Sequence, residues 1–183
     1  MEILKVGLIV AFTLGASENC WSLDLAGFRA CLRTNGQGST CSLDPGEWVI
    51  DATVRVERSN LTVTGILAPD GTRPMLRRAP GFWQEMVRVS PQSAQKLSTI
   101  TIRQLTFDGN RSSGGVAPNF ISADVEVYST TSLLFDNCRF VDAPRHHLVI
   151  DAQSSSVMVT GSIFNGAAWF GIWSDSAQLP RPG

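Results

Sequence analysis

Two histidines stand side by side at His146 and His147, with Asp124 before them and Asp151 after. Asp175 follows Asp151 at an interval of 24 residues, and Glu126 and Tyr128 follow Asp124 at alternate positions. These side chains do acid–base work. A carboxyl group beside a second carboxylate or an imidazole can protonate a leaving oxygen while its partner activates water. Paired carboxylates can also hold Ca2+ through their oxygens. Asp is favoured as well at the turn after a strand, where its side chain bonds local backbone groups, and Asp151 and Asp175 fit that role too. Which chemistry is open depends on the elements that carry these residues.

Those elements repeat. Ser132–Gln153 and Ser156–Ala177 align at an offset of 24, with Leu133 and Phe135 on Val157 and Val159, and Phe140 on Phe164. The first-strand pairs Val54/Val56, Val87/Val89, Val125/Val127, Leu148/Ile150 and Ile172/Ser174 recur at steps of 33, 38, 23 and 24. Second strands follow at Leu61–Val63, Ile100–Ile102, Leu133–Phe135 and Val157–Val159. Each then meets a bend residue, Gly65, Gln104, Asn137 or Gly161, and a third strand ending in Ala68, Phe107, Phe140 or Phe164. Apolar and polar residues alternate within most strands, as a pleated strand with one buried face requires. A unit of three short strands cannot close a core alone, whereas stacked units bury a continuous column. The predicted fold is all-β: a right-handed parallel β-helix of about five rungs with a short N-terminal capping helix. Inserts at 69–86, 108–124, 141–147 and 165–171 flank the first strands on one side, where repeat folds commonly build a binding face.

The rest of the chain is consistent with one domain carrying a leader. Residues 1–17 have the form of a secretory signal peptide: Lys5, the uncharged run Val6–Ala16, and small residues at Gly15-Ala16-Ser17. The run is too short to span a bilayer. Residues 18–47 read as a cap, with a helix from Asp24 to Leu32 stopped by Asn35 and Gly36, and 48–183 as the β-helix, with no closing element visible at its C-terminal end. Cys31 and Cys41 bracket a Gly/Ser/Thr-rich turn and could pair in an oxidising compartment. Cys138 falls at an inward position as a small hydrophobe, and the cysteine intervals do not suit zinc. A net charge of -1 leaves no electrostatic footprint for nucleic acid or an anionic membrane.

The run Asp24–Leu32, the turn Asp44-Pro45-Gly46-Glu47-Trp48, and Val54–Gly65 with its Ser-Asn-Leu-Thr-Val-Thr-Gly segment resemble the opening of pectin-lyase-like parallel β-helix proteins. The resemblance covers roughly 23–175. It implies an extracellular or cell-surface protein acting on a polysaccharide, as a lyase or a glycoside hydrolase, with no cofactor, or with Ca2+ if a lyase. This superfamily also holds epimerases, esterases and proteins of no known activity, so fold and activity are separate questions. The resemblance further implies that catalytic residues lie on or beside the first strands of successive rungs. His146-His147 precede Leu148-Val149-Ile150 as a His-Gly pair precedes a strand in polygalacturonases, with His147 replacing the glycine and Ala123-Asp124 replacing the double Asp. Arg88 or Arg145 could serve as the Arg base of some pectate lyases.

The outward positions of the first strands form one row of Arg55, Arg88, Glu126, Val149 and Trp173, and a second of Ser90, Tyr128, Asp151 and Asp175. Glu85, Asp124, His146 and His147 lie just before the strands. The candidate catalytic residues are therefore Asp124, His146, His147, Asp151 and Asp175. Arg88, Glu126, Tyr128, Arg145 and Trp173 are the candidate substrate contacts. Two classes of function follow. An enzyme needs at least three convergent polar groups on that face, such as Asp124, a histidine and Asp151. A non-catalytic glycan-binding or structural module needs mainly aromatics, such as Trp173 and Tyr128.

Overall fold

Val54-Arg55-Val56 and Val87-Arg88-Val89 form short extended strands whose valines are buried and whose arginines are partly exposed. The alternation is that of a pleated strand with one face on a core. A computed structural model describes residues 22–33, 40–114 and 123–174. The proposed signal peptide and Asp175 lie outside them.

The cap contains β1 (Ser22–Leu23) and α1 (Leu25–Cys31), followed by β2 (Thr40–Leu43) and β3 (Glu47–Ile50). Turns of three strands follow: β4 (Val54–Val56), β5 (Leu61–Gly65) and β6 (Met75–Arg78), then β7 (Val87–Val89), β8 (Ile100–Arg103) and β9 (Thr106–Asp108). After the one-turn α2 (Arg111–Gly114) come β10 (Ala123–Val127), β11 (Leu133–Asp136) and β12 (Arg139–Val141). The last are β13 (His146–Ile150), β14 (Val157–Thr160), β15 (Ile163–Asn165) and β16 (Phe170–Ser174). The first sheet runs β16-β13-β10-β7-β4, the second β1-β2-β5-β8-β11-β14 and the third β15-β12-β9-β6-β3. Every pairing between these strands is parallel. The chain is an all-β parallel β-helix of about five rungs, with the core as a column between three sheets.

Left-handed residues turn the corners. Gln104, Asn137 and Gly161 (φ 59, 52 and 54) stack between the second and third sheets, and Asn110, Asp142 and Gly166 (φ 52, 52 and 78) between the third and first. Asn, Asp and Gly tolerate this conformation best. Gly65 is required for a different reason: a Cβ there would overlap the Gln104 carbonyl oxygen and lie 2.8 Å from Pro74 Cδ.

Inside, side chains stack at strand spacing. Phe140 lies between Phe107 and Phe164, with ring centroids 4.9 and 4.6 Å away and interplanar angles of 17° and 2°. At the N-terminal end, Asp24 caps α1 by accepting from the Gly27 amide at 2.7 Å, and Phe28 and Leu32 close the column. Cys31 and Cys41 are disulfide-bonded and fasten this helix to β2. Cys138 is a free, buried thiol, its pKa pushed up to about 11 by burial.

Two local expectations are corrected. Ala68 does not end a third strand; it lies in a turn, accepting from the Gly71 amide at 2.8 Å, and Leu76 of β6 pairs with Phe107 instead. The insert in that unit therefore leaves largely at the second corner, before β6. Thr40–Leu43, read as part of a turn region, is a strand of the second sheet. The helix lies where it was expected, Leu25–Cys31 between Asp24 as N-cap and Leu32 as C-cap; Asn35 and Gly36 lie outside the described residues.

Candidate functional site

The first sheet aligns the outward row as the repeat predicts. Arg55 pairs with Arg88, Arg88 with Glu126, Glu126 with Val149, and Val149 with Trp173. Adjacent strands lie about 4.8 Å apart, so neighbours in the row are in contact range. Ser90, Tyr128 and Asp151 form the next row, their amides extending the ladder to Val56, Val89 and Val127 at 3.0, 2.8 and 3.0 Å.

Four side chains of these rungs converge. Arg88 Nη2 lies 2.7 Å from Glu85 Oε1 and 3.5 Å from Glu126 Oε2. Tyr128 Oη donates to the same Glu126 oxygen at 2.8 Å, and the Arg88 guanidinium sits 5.3 Å from the Tyr128 ring centroid. Glu126 is only 1% exposed. Burial raises its pKa to about 7, with Glu85 adding to the rise and the Tyr128 hydrogen bond and Arg88 opposing it. The Tyr128 phenol is pushed well above its ordinary value by burial and by the neighbouring Glu126. Glu126 Oε1 and Arg88 Nε are buried without hydrogen-bond partners. A buried polar atom in that state is costly, and a ligand that supplies its partner gains accordingly. One hydroxyl group carries both functions required, a donor for Oε1 and an acceptor for Nε.

Asp124 and His147 do not reach this face. Both are 0% exposed, at the corner where the chain turns from the third sheet into the first. His147 Nδ1 lies 2.7 Å from Asp124 Oδ2, and Nε2 donates to the Asn165 carbonyl at 3.0 Å. The imidazole also lies 6.1 and 5.9 Å, centroid to centroid, from the rings of Phe140 and Phe164. Arg78 completes the cluster, with Nη2 donating to the Ala123 carbonyl at 2.8 Å and to Asp124 Oδ1 at 3.4 Å. Its Nη1 donates to the carbonyls of Gln84 and Phe82. Burial pushes the Asp124 carboxyl pKa up and the Arg78 guanidinium down, each against the pull of its partners. The expectation of an Asp–His pair at the solvent edge of the strands is corrected. The two residues do meet, but within the fold, because the second positions of β10 and β13 still face the end of the third sheet.

His146 is separated from its neighbour. It is 2% exposed, with its ring 5.7 Å from that of Phe170, 5.4 Å from Trp173 and 5.9 Å from Trp169. Burial and the adjacent Arg145 lower its pKa, and its Nδ1 is buried without a partner. Arg145 is itself buried, its guanidinium 4.3 Å from the Trp169 ring centroid. Trp169, Phe170 and Trp173 remain 49%, 56% and 37% exposed. Asp151 Oδ1 accepts from the Ser129 amide at 3.1 Å and from Ser154 Oγ at 2.5 Å, so this carboxylate is engaged in the turn after β13. Its proposed partner Asp175 lies outside the described residues. Among the described residues no group of three or more His, Cys, Asp or Glu side chains is placed to hold a metal ion.

Sequence reasoning placed Arg88, Glu126 and Tyr128 on one face and Glu85 beside it. It did not single out Arg78, which fell within the insert read at 69–86 and is observed at the end of β6.

No family model, no curated protein and no solved structure matches this chain.

Proposed function

We propose that this chain is a secreted, carbohydrate-active β-helix of the pectin-lyase-like kind, taking a polysaccharide along the outer face of the first sheet. Glu126 is the residue that moves a proton there. The observation carrying this reading is the Glu126 carboxyl, titrating near neutrality between Arg88 and Tyr128 with one oxygen left unpartnered. A group with a pKa near the working pH is effective both as acid and as base. Arg88 supplies positive charge beside the reacting bond, and Glu85 holds the guanidinium in place. Lyase and hydrolase chemistry both start from such a group, by taking a proton from carbon or by protonating a glycosidic oxygen.

A second reading is supported by Trp169, Phe170 and Trp173, which stay exposed at the end of the same face. Aromatic faces of this kind stack on sugar rings, and a module built on them binds glycan without cleaving it.

The test is a panel of neutral and acidic polysaccharides, with and without Ca2+, followed for new reducing ends and for unsaturated uronates, with binding measured in parallel. Turnover on any member supports the enzyme. Binding without turnover supports the second reading, and neither binding nor turnover overturns both.

A further inference from the structure

We propose that the Asp124–His147 contact is a proton-dependent latch for the corner joining the third sheet to the first. One proton held between Asp124 Oδ2 and His147 Nδ1 keeps that corner closed. Its loss as pH rises loosens the corner without unfolding the solenoid. This inference does not depend on the glycan reading.

The geometry requires the proton. The Asn165 carbonyl can only accept, so His147 Nε2 carries a hydrogen. Nδ1 then faces a carboxylate oxygen at 2.7 Å. Either Nδ1 is also protonated and donates to an ionised Asp124, or Asp124 is protonated and donates to Nδ1. Both states hold the same single proton. Without it, a nitrogen lone pair would face a carboxylate oxygen in direct contact, with both residues 0% exposed. The neighbours cannot replace it. The charged groups acting on Asp124 are His147 and Arg78. Arg78, at the end of β6, is drawn at the same time towards Glu85 and Glu126. From the third sheet, the contacts to His147 are the uncharged rings of Phe140 and Phe164 and the Asn165 carbonyl.

The effect is local because of what this contact joins. It links β10 to β13 and to the end of β15. The corner is also tightly packed: a Cβ on Gly109 would lie 2.7 Å from Asp124 Oδ1 and 2.5 Å from Ala143 Cα. The second sheet contributes nothing to the contact and retains its own apolar packing. Asp124 is two residues before Glu126 in the same strand, so a loosened corner disturbs the outer face as well.

The test is amide hydrogen exchange on the full chain, read as protection factors between about pH 6 and pH 10. Loss of one linked proton lowers protection by about tenfold per pH unit. That fall is expected at 123–127 and 142–147, with β5 and β8 flat. Asp124→Asn keeps the hydrogen bond, because its amide can donate to Nδ1 of a neutral imidazole, so this variant is expected to show no fall. A flat wild-type profile, or an equal fall in Asp124→Asn, overturns the proposal. Should the variant fail to fold, imidazole 15N shifts of wild-type His147 decide the question. An Nδ1 shift that moves with the loss of protection supports the latch, and an unprotonated, unbonded Nδ1 at neutral pH overturns it.

Discussion

Tyr128 Oη donates to Glu126 Oε2 at 2.8 Å from two positions along the chain, and this bond holds the Glu126 pKa below the value burial alone would impose. The sheet brings Arg88 to the same oxygen from the neighbouring strand. The second oxygen, Oε1, is buried without a hydrogen-bond partner. Tyr128→Phe keeps the ring beneath Arg88 and deletes the donor. The Glu126 titration, followed by carboxyl 13C NMR, is then expected to move above about 7. A downward move, or none, would show that the phenol does not stabilise the carboxylate.

The same carboxyl makes stability depend on pH. Its pKa is raised from 4.5 to about 7 on folding, so the folded chain holds a proton that the unfolded chain releases. The resulting stabilisation is fully present below about 4.5 and is lost as pH rises through about 7. At about 1.4 kcal/mol per pKa unit, the change amounts to roughly 3 kcal/mol. Denaturant unfolding measured across this range is expected to show wild type losing stability with rising pH. Glu126→Gln, which cannot ionise, should show a flatter curve by that amount.

Phe140 sits mid-stack, with one aromatic neighbour above and one below. Phe140→Ala opens a cavity that neither Phe107 nor Phe164 can fill without leaving its own rung. The expected loss is about 3–5 kcal/mol in denaturant unfolding. A loss below about 1 kcal/mol would mean that the column collapses around the gap.

The solenoid was legible in the sequence because its signal repeats. Val54, Val87, Val125, Leu148 and Ile172 recur in register, and the structure pairs them across the first sheet. The bend positions Gln104, Asn137 and Gly161 were legible for the same reason, since a left-handed residue recurs at that corner in successive rungs. Asp124 and His147 were harder to read. Alternation predicts side-chain direction within a strand, but both residues lie at strand starts, where the corner turns them against the third sheet. Arg78 was illegible because alternation says nothing of a cation whose partners come from β10 and from backbone carbonyls of the following loop. Ala68 was misassigned because the first unit carries its insert at a different corner from its neighbours, so a fixed offset placed the strand too early.

The most direct measurement is turnover by wild type and Glu126→Gln on the same polysaccharide, recorded against pH. Wild type is expected to show a limb at about 7, set by Glu126. Glu126→Gln should lose about 100- to 10,000-fold in rate while still binding the glycan, and the limb should vanish. Turnover by Glu126→Gln at the wild-type rate, with the limb unchanged, would contradict the account.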